Sequence, residues 1–299
     1  MENVQCSAKL FPHIICPACG MSISVTDDSE WYCVKCGRKY PVIDGIPSLV
    51  SEVHNERCQS RYDKEAASGE YSAQAVGYLS GKNQRTIQAL AYSMAGPLQD
   101  DSRILDVGCG HGAFSSNWAK TNRVVGVDIS LPMLELAKRI GIEPYHADAT
   151  SLPFSDGQFD LAVGIGVIEY ITDPSLLLSE LSRVIRPDGK IIISWPNAAS
   201  VARIVNRTAI RPIFGTGPSR QDLPILRSWK CVYETCRELG LAVETIGLTF
   251  FPFTVTRLRS ALGFLDYVMA SNFVVKLRRG HDVTLEANHG FQGCSRRIV

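Results

Sequence analysis

The stretch RILDVGCGHG, residues 103–112, decides the fold. Arg103 to Val107 is short, branched and apolar around Asp106, and reads as a buried strand. The chain then turns at Gly108-Cys109-Gly110-His111-Gly112 and runs into Ala113 to Thr121, which reads as a helix. In a strand, glycine loop and helix of this kind, bare backbone lets a ligand approach the helix amino terminus. The spacing is G-x-G-x-G, not the G-x-G-x-x-G of dinucleotide sites, and the carboxylate of Asp106 stands two residues before the first glycine. An anion there repels a pyrophosphate and suits a cationic ligand.

Working outward, VVGVD (Val124 to Asp128) is a second strand, and Asp128 at its end is placed to accept both hydroxyls of a ribose. A third strand, around Pro144 to Ala147, ends at Asp148. The three acids are 22 and 20 residues apart, each about one βα repeat. Singly, each also reads as a helix cap or a solvated turn. After three consecutive strands they read together as a line of carboxylates on one sheet edge. Phe159 to Val163 and Lys190 to Trp195, preceded by turns at Ser155-Asp156-Gly157 and Pro187-Asp188-Gly189, are a fourth and a fifth strand. Leu131 to Ile140 and Pro174 to Ile185 are the crossover helices of an α/β, Rossmann-like sheet.

Upstream, CPACG and CVKCG are separated by the thirteen residues after Cys19. Two such knuckles offer the thiolates of Cys16, Cys19, Cys33 and Cys36 to one tetrahedral zinc, with reduced free thiols or iron as the alternatives. Gly20 and Gly37 free the backbone to turn behind each pair. A segment this short buries little core, so the zinc is expected to be structural, and four thiolates close its coordination shell. Residues 51–100 read as a linker and lid helices; Tyr62-Asp63 there either packs on the surface or approaches a cofactor.

The motifs ILDVGCGHGAF, VVGVDIS, ADATSLPFSDGQFDLAV and VIEYITDP resemble, in order, those of class I S-adenosylmethionine-dependent methyltransferases of the type 11-like kind, over Ser102 to Pro196 and more loosely to the end. Ile15 to Val50, including RKYPVIDGIPSLV, resembles a Trm112-like zinc ribbon, which implies a docking or stabilising role. The methyltransferase resemblance implies a seven-stranded sheet in the order 3-2-1-4-5-7-6 with strand 7 antiparallel. It implies that Asp106, Gly108 and Gly110 border the methionine moiety and that Asp128 binds the ribose. Ile129 would pack on the adenine, Asp148 and Ala149 would hold its amino edge, and Gly164 to Gly166 would face the sulfonium. In the best-matching subgroup a histidine follows the glutamate after strand four; here the motif is Ile168-Glu169-Tyr170-Ile171. No catalytic residue is assigned. Tyr170 either orients the acceptor or packs over the cofactor, and His111 is either a catalytic group or a helix-start residue.

The chain has 299 residues, 45% hydrophobic and 20% charged, which excludes a disordered or low-complexity polymer. The expected division is a ribbon at 1–50, the lid at 51–100 and a cofactor-binding domain at 101–299, with an acceptor-binding insertion about 197–225. No apolar stretch reaches the ~18 residues a bilayer crossing needs. The start MENVQCSAKL lacks a secretion signal, so a cytoplasmic location with reduced thiols is expected. Net charge by segment is −2 for residues 1–60, −4 for 61–196 and +7 for 197–299. In the last third, Asn197 to Ala209 reads as a helix, and Arg203, Arg207 and Arg211 would share one face if it continued. That face is either solvated or an anion-recognition stripe. Leu226 to Leu239 reads as a helix, Leu241 to Phe250 as the sixth strand and Phe273 to Leu277 as the seventh. Phe250 to Phe253 and Leu262 to Met269 are apolar and either pack internally, wall an acceptor site or touch a membrane surface. The tail at 278–299 has no clear pattern. The reading is methyl transfer to a small-molecule or lipid-like acceptor, anionic if the arginines bind it. The alternatives are an RNA methyltransferase of the ribosomal RNA guanine type, with the ribbon assisting RNA binding, and a non-catalytic docking protein.

Overall fold

A computed structural model describes residues 12–25, 30–50, 56–67, 81–205, 225–250, 255–259 and 263–280. Its centre is five parallel strands: β5 (Arg103–Val107), β6 (Arg123–Asp128), β7 (Glu143–His146), β8 (Phe159–Ile165) and β9 (Ile185–Pro196). Ile104, Leu105, Val107, Val125 and Val127 have no exposed surface, as expected of strands covered on both faces. β10 (Leu241–Phe250) and β12 (Asn272–Arg279) extend the sheet, with β12 inserted between β9 and β10 and antiparallel to both. The full order is β11-β10-β12-β9-β8-β5-β6-β7. The seven expected strands are all there, and an eighth is added at the edge: β11 (Val255–Arg259) pairs antiparallel with the outer side of β10. Its sequence VTRLR carries two arginines, the composition of a short charged edge strand and not of a buried one.

Crossover helices cover the sheet as their periodicity requires. In α3 (Leu131–Arg139), Met133, Leu134 and Ala137 are buried; in α4 (Pro174–Val184), Leu177, Leu178, Leu181 and Val184 are buried. Asp173 caps α4 by accepting the Ser175 N–H. α2 (Gly81–Ala95) lays Ile87, Leu90, Ala91 and Met94 in one cluster with Leu134 and Ala137 of α3, on the face opposite α4. α1 (Glu56–Ala67) packs beside α3, and α6 (Trp229–Glu238) beside α4 and β10.

Three local expectations are corrected. Ala113 to Thr121 is not an α-helix but a run of turns ending in one 3-10 turn, Trp118–Lys120. Ser116 Oγ donates to the Ala113 carbonyl and Asn122 Nδ2 to the Trp118 carbonyl, taking backbone acceptors a helix would use. Trp118 stacks on Tyr92 at 4.1 Å between ring centroids. β9 begins at Ile185, so Pro187-Asp188-Gly189 lies within the strand, with a register shift against β8 between Phe159 and Leu161. Of the helix expected from Asn197, α5 (Val201–Val205) is described; 206–224, and with it Arg207 and Arg211, lies outside the described residues, as do 251–254 and the tail beyond Gly280.

The amino-terminal module is a four-stranded antiparallel sheet of β1 (Ile23–Val25), β2 (Glu30–Cys33), β3 (Lys39–Ile43) and β4 (Ile46–Pro47). Asp44 and Gly45 both have positive φ, 51° and 70°, which gives the tight two-residue hairpin. The module is sewn to the edge of the large sheet. Ile15 N–H donates to the Pro153 carbonyl at 2.9 Å and Leu49 N–H to the His146 carbonyl at 2.7 Å. Tyr40 and Leu49 share a core with Tyr145, Leu152 and Phe154.

Gly112, at φ +77°, is a sensitive point of the sheet's packing, because a Cβ there would overlap Ile142 Cδ1 and approach Ile140 Cδ1 at 3.0 Å. Gly112→Ala should lower stability by about 1–3 kcal/mol, read as an earlier urea midpoint at unchanged slope; an unchanged midpoint would contradict the packing described.

Candidate functional site

The chain leaves β5 toward β6 and β7, and later returns to β8 and β9 on β5's other side, so the loops after β5 and β8 diverge. Such a switch point opens a crevice at the carboxyl ends of the strands. A cavity of about 470 Å³ lies there. Asp106, Gly108, Gly110, Asp128, Ile129, Asp148, Ala149 and Gly166 all line it, as does His111. Gly164 is not among the lining residues; a Cβ there would meet the Val167 side chain at 3.1 Å.

Backbone shape creates the room. Gly108 and Gly110 have φ of +69° and +52°, and a Cβ on Gly108 would come within 2.9 Å of Val167 Cβ. Without the expected helix behind it, the loop owes its polarity to individual N–H groups and not to a helix end. The Gly110 N–H donates to Asp128 Oδ2 at 2.8 Å, and the Ser130 N–H to Asp128 Oδ1 at 3.0 Å. Asp148 Oδ1 accepts both the N–H and the hydroxyl of Thr150, each at 2.7 Å.

Asp106 is 2% exposed, and its Oδ2 has no hydrogen-bond partner among the described residues. Burial pushes its carboxyl up to about 7; Ser115 opposes the shift and the charge of Asp128 adds to it. Asp128 is also raised, chiefly by burial and against three backbone N–H groups. A rim of desolvated acids with an open oxygen is chemically fitted to a ligand cation. Burial pushes His111 down to about 4, which leaves it neutral and a weak base at neutral pH.

The mouth is partly closed by α1. Ser130 Oγ donates to Asp63 Oδ1 at 2.6 Å, and Tyr62 lines the cavity edge-on to Tyr170, with ring centroids 6.0 Å apart at 82°. Tyr62 thus belongs to the pocket and Asp63 to the clasp that holds it. Gln84 and Ile87 of α2, Phe114 and Leu176 also line the cavity. Their only sequence signal was membership of amphipathic or aromatic stretches, which does not distinguish pocket from core. Arg227 is a further residue that sequence reasoning missed. It is 8% exposed, and its guanidinium donates to the carbonyls of Ile171 and, at 3.0 Å, Thr172, fixing the lining segment after β8.

The arginine stripe is not assembled among the described residues: Arg203 lies in α5, and nothing is described of its side chain. In the apolar stretch at 262–269, α7 (Phe264–Met269) exposes Phe264, Leu265 and Met269, so internal packing does not account for these three. Among the described residues no helix is long and apolar enough to cross a membrane. Away from the cavity, the Sγ atoms of Cys16, Cys19, Cys33 and Cys36 all lie within 4.8 Å of one another. Gly20 and Gly37 donate back to the carbonyls of Cys16 and Cys33, closing each knuckle.

Residues 105–193 match the methyltransferase-domain family. The matched span runs from β5 into β9 and holds most of the lining residues of the cavity. A malonyl-[acyl-carrier protein] O-methyltransferase of Erwinia billingiae is 33% identical over 165 residues, 54% of this chain and 63% of that protein. A demethylmenaquinone methyltransferase of Staphylococcus saprophyticus is 37% identical over 105 residues, 32% of this chain and 45% of that protein. The chain therefore spans less than two thirds of the length of either relative. A solved structure from Thermotoga maritima, described as an S-adenosylmethionine-dependent methyltransferase and possible histamine N-methyltransferase, superposes with a TM-score of 0.55 at 18% identity over 74% of this chain and 99% of that one. That likeness is one of fold. The domain match, the named relatives and the α/β fold support a class I methyltransferase dependent on S-adenosylmethionine.

The buried acid of the cavity has a consequence for stability. Asp106 in the folded chain holds its proton up to about pH 7, against 3.8 as its ordinary value, so the folded state binds the extra proton and loses stability as pH rises through that window. The loss is on the order of 4 kcal/mol once the group is ionised. Asp106→Asn should therefore gain on the ligand-free wild type between about pH 5 and about pH 8, read from urea midpoints. A difference between the two proteins that does not change with pH would contradict this.

Proposed function

We propose that this chain transfers a methyl group from S-adenosylmethionine to a small-molecule or lipid-like acceptor. One observation carries the reading: the buried Asp106, with one oxygen unpartnered among the described residues, in a cavity whose rim also holds Asp128 and Asp148, within the stretch that matches a methyltransferase domain. When bound, S-adenosylmethionine supplies a methyl group on a positively charged sulfur, so that the protein has chiefly to align and to exclude water. Asp106 would take the ammonium of the methionine moiety beside the bare backbone of Gly108 and Gly110. Asp128 would accept the ribose hydroxyls on lone pairs not used by its backbone donors. Ile129 and Ala149 would flank the adenine, Asp148 would accept from its amino group, and Gly166 would border the sulfur.

The acceptor would enter beside Tyr62, Tyr170, Ile171 and Leu176, which line the cavity near α1 and α4. Tyr170 would orient it; the neutral, weakly basic His111 would not take its proton. The relatives' names, for a malonyl group on acyl-carrier protein and for demethylmenaquinone, support an acceptor of this class. The four cysteines fit one structural zinc: a tetrahedron with Zn–S near ~2.3 Å places its sulfurs about 3.8 Å apart, and the Cys16–Cys36 and Cys19–Cys33 pairs are at 3.7 and 3.4 Å. The module they close would act as a docked, stabilising ribbon.

The test offers labelled S-adenosylmethionine together with a cell extract separated into RNA and a metabolite-plus-lipid fraction. Label should enter the metabolite-plus-lipid fraction, and Asp128→Ala should weaken S-adenosylhomocysteine binding by about tenfold or more while leaving the fold intact. Label in RNA that ribonuclease removes would favour the RNA-modifying alternative, and cofactor binding with no transfer to any fraction would favour a docking protein.

A further inference from the structure

We infer that His146 is a positioning residue that links the four-cysteine module to the cofactor pocket, so that docking of the module and binding in the pocket favour one another. The inference rests on the proposed function for the identity of the ligand. β4 runs directly into Ser48 and Leu49, which lie along the outer edge of β7: Ser48 pairs in parallel with His146, and the Leu49 N–H donates to the His146 carbonyl at 2.7 Å. The His146 side chain turns away from this ladder and joins two partners. Nδ1 lies 2.8 Å from Ser48 Oγ, and Nε2 lies 3.1 Å from the carbonyl oxygen of Ile129.

These partners fix the direction of the chain of bonds. A carbonyl only accepts, so Nε2 carries the hydrogen. Burial pushes the pKa of His146 down, so the ring is neutral and Nδ1 is left as an acceptor for the Ser48 hydroxyl. Ser48 therefore donates to His146, and His146 donates to Ile129. Ile129 lines the cavity, as do its neighbour Asp128 and the next residues of the β7 end, Ala147 and Asp148. The Ala147 N–H donates to the Asp128 carbonyl at 3.2 Å. The backbone that bears the proposed ribose and adenine contacts is thus held from one side by the sheet and from the other by the His146 ring, which Ser48 of the module's exit segment orients in turn.

Other contacts hold the module regardless of this relay. Lys138 Nζ donates to the Asp44 carbonyl at 2.8 Å, and Ile15 bonds to the Pro153 carbonyl. Cutting the Ser48 bond therefore removes the link without undocking the module. Linkage makes the effect reciprocal: a ligand that holds Ile129 in place should slow exchange in the module by about twofold, and loss of the Ser48 bond should weaken the ligand by about the same factor.

The test uses the full chain and S-adenosylhomocysteine as the probe, with affinity from calorimetry and amide hydrogen exchange of residues 39–50 measured with and without saturating probe. In the wild type, the probe should slow exchange in that segment. His146→Gln keeps an amide donor near the Nε2 position for Ile129 and offers nothing to Ser48. Like Ser48→Ala, it should bind the probe within about twofold of wild type and lose the probe-dependent protection of the module. His146→Ala, which loses both bonds, should bind about five- to tenfold more weakly. A histidine that merely filled space would lower stability and leave the probe-dependent protection intact in Ser48→Ala, and that result overturns the inference. So does wild-type binding that leaves exchange in the module unchanged. Failure of the wild type to bind the probe at all overturns the proposed function itself, and is seen before any variant is made.

Discussion

Asp106 lies one residue from the end of the middle strand of a five-stranded parallel array, is buried, and keeps one oxygen without a donor among the described residues. Its neighbour across the ladder is Gly126, two residues before Asp128, so two carboxylates are held close in a region of low dielectric. Folding alone gains nothing from this arrangement, since each charge raises the cost of the other. Much of the surrounding structure reads as the means of keeping the acids there: backbone N–H groups from Gly110 and Ser130 turned onto Asp128, glycines at positive φ where a side chain would fill the space, and α1 clasped over the rim through Asp63. Under the proposed function a cationic ligand would offset the repulsion, and the strain of the ligand-free state would become selectivity for charge.

The amino-terminal module belongs to the same arrangement. A parallel sheet has an exposed edge at its last strand, and β7, with four residues, is short and would otherwise face solvent. The segment after β4 covers that edge, and the module's Tyr40 and Leu49 complete the core beneath Tyr145 and Phe154. On the other face of the sheet, Ile46 is buried in the cluster that holds Leu134, Ala137 and Ile142. The knuckles at Cys16 and Cys33 therefore brace a surface that continues into the cavity side of the sheet.

Much of this was legible in the sequence because it is local. A buried parallel strand must be a short branched run, and a carboxylate at its end followed by glycines has few structural uses, so β5 to β8 and the acids at positions 106, 128 and 148 could be read directly. The cysteine knuckles were equally plain, since their spacing is itself the chemistry. What escaped depends on competition between distant groups. The turns after Gly112 arise from side chains that take backbone acceptors and from the stack of Trp118 on Tyr92, a partner 26 residues away. Gly164 looked like a pocket glycine, yet its α-carbon faces Val167. Arg227 and His146 gave no signal, because a lone arginine or histidine acquires its role only from the carbonyls that folding brings to it.

Calorimetric titration of S-adenosylmethionine across pH tests the central claim most directly. If the cofactor's positive charge is held by Asp106, association should strengthen as pH rises from about 5.5 to about 7, by up to roughly tenfold per unit, and then level off, while Asp106→Asn shows a flat and weaker profile. Wild-type affinity independent of pH over that range, or the same slope in the variant, would contradict the account.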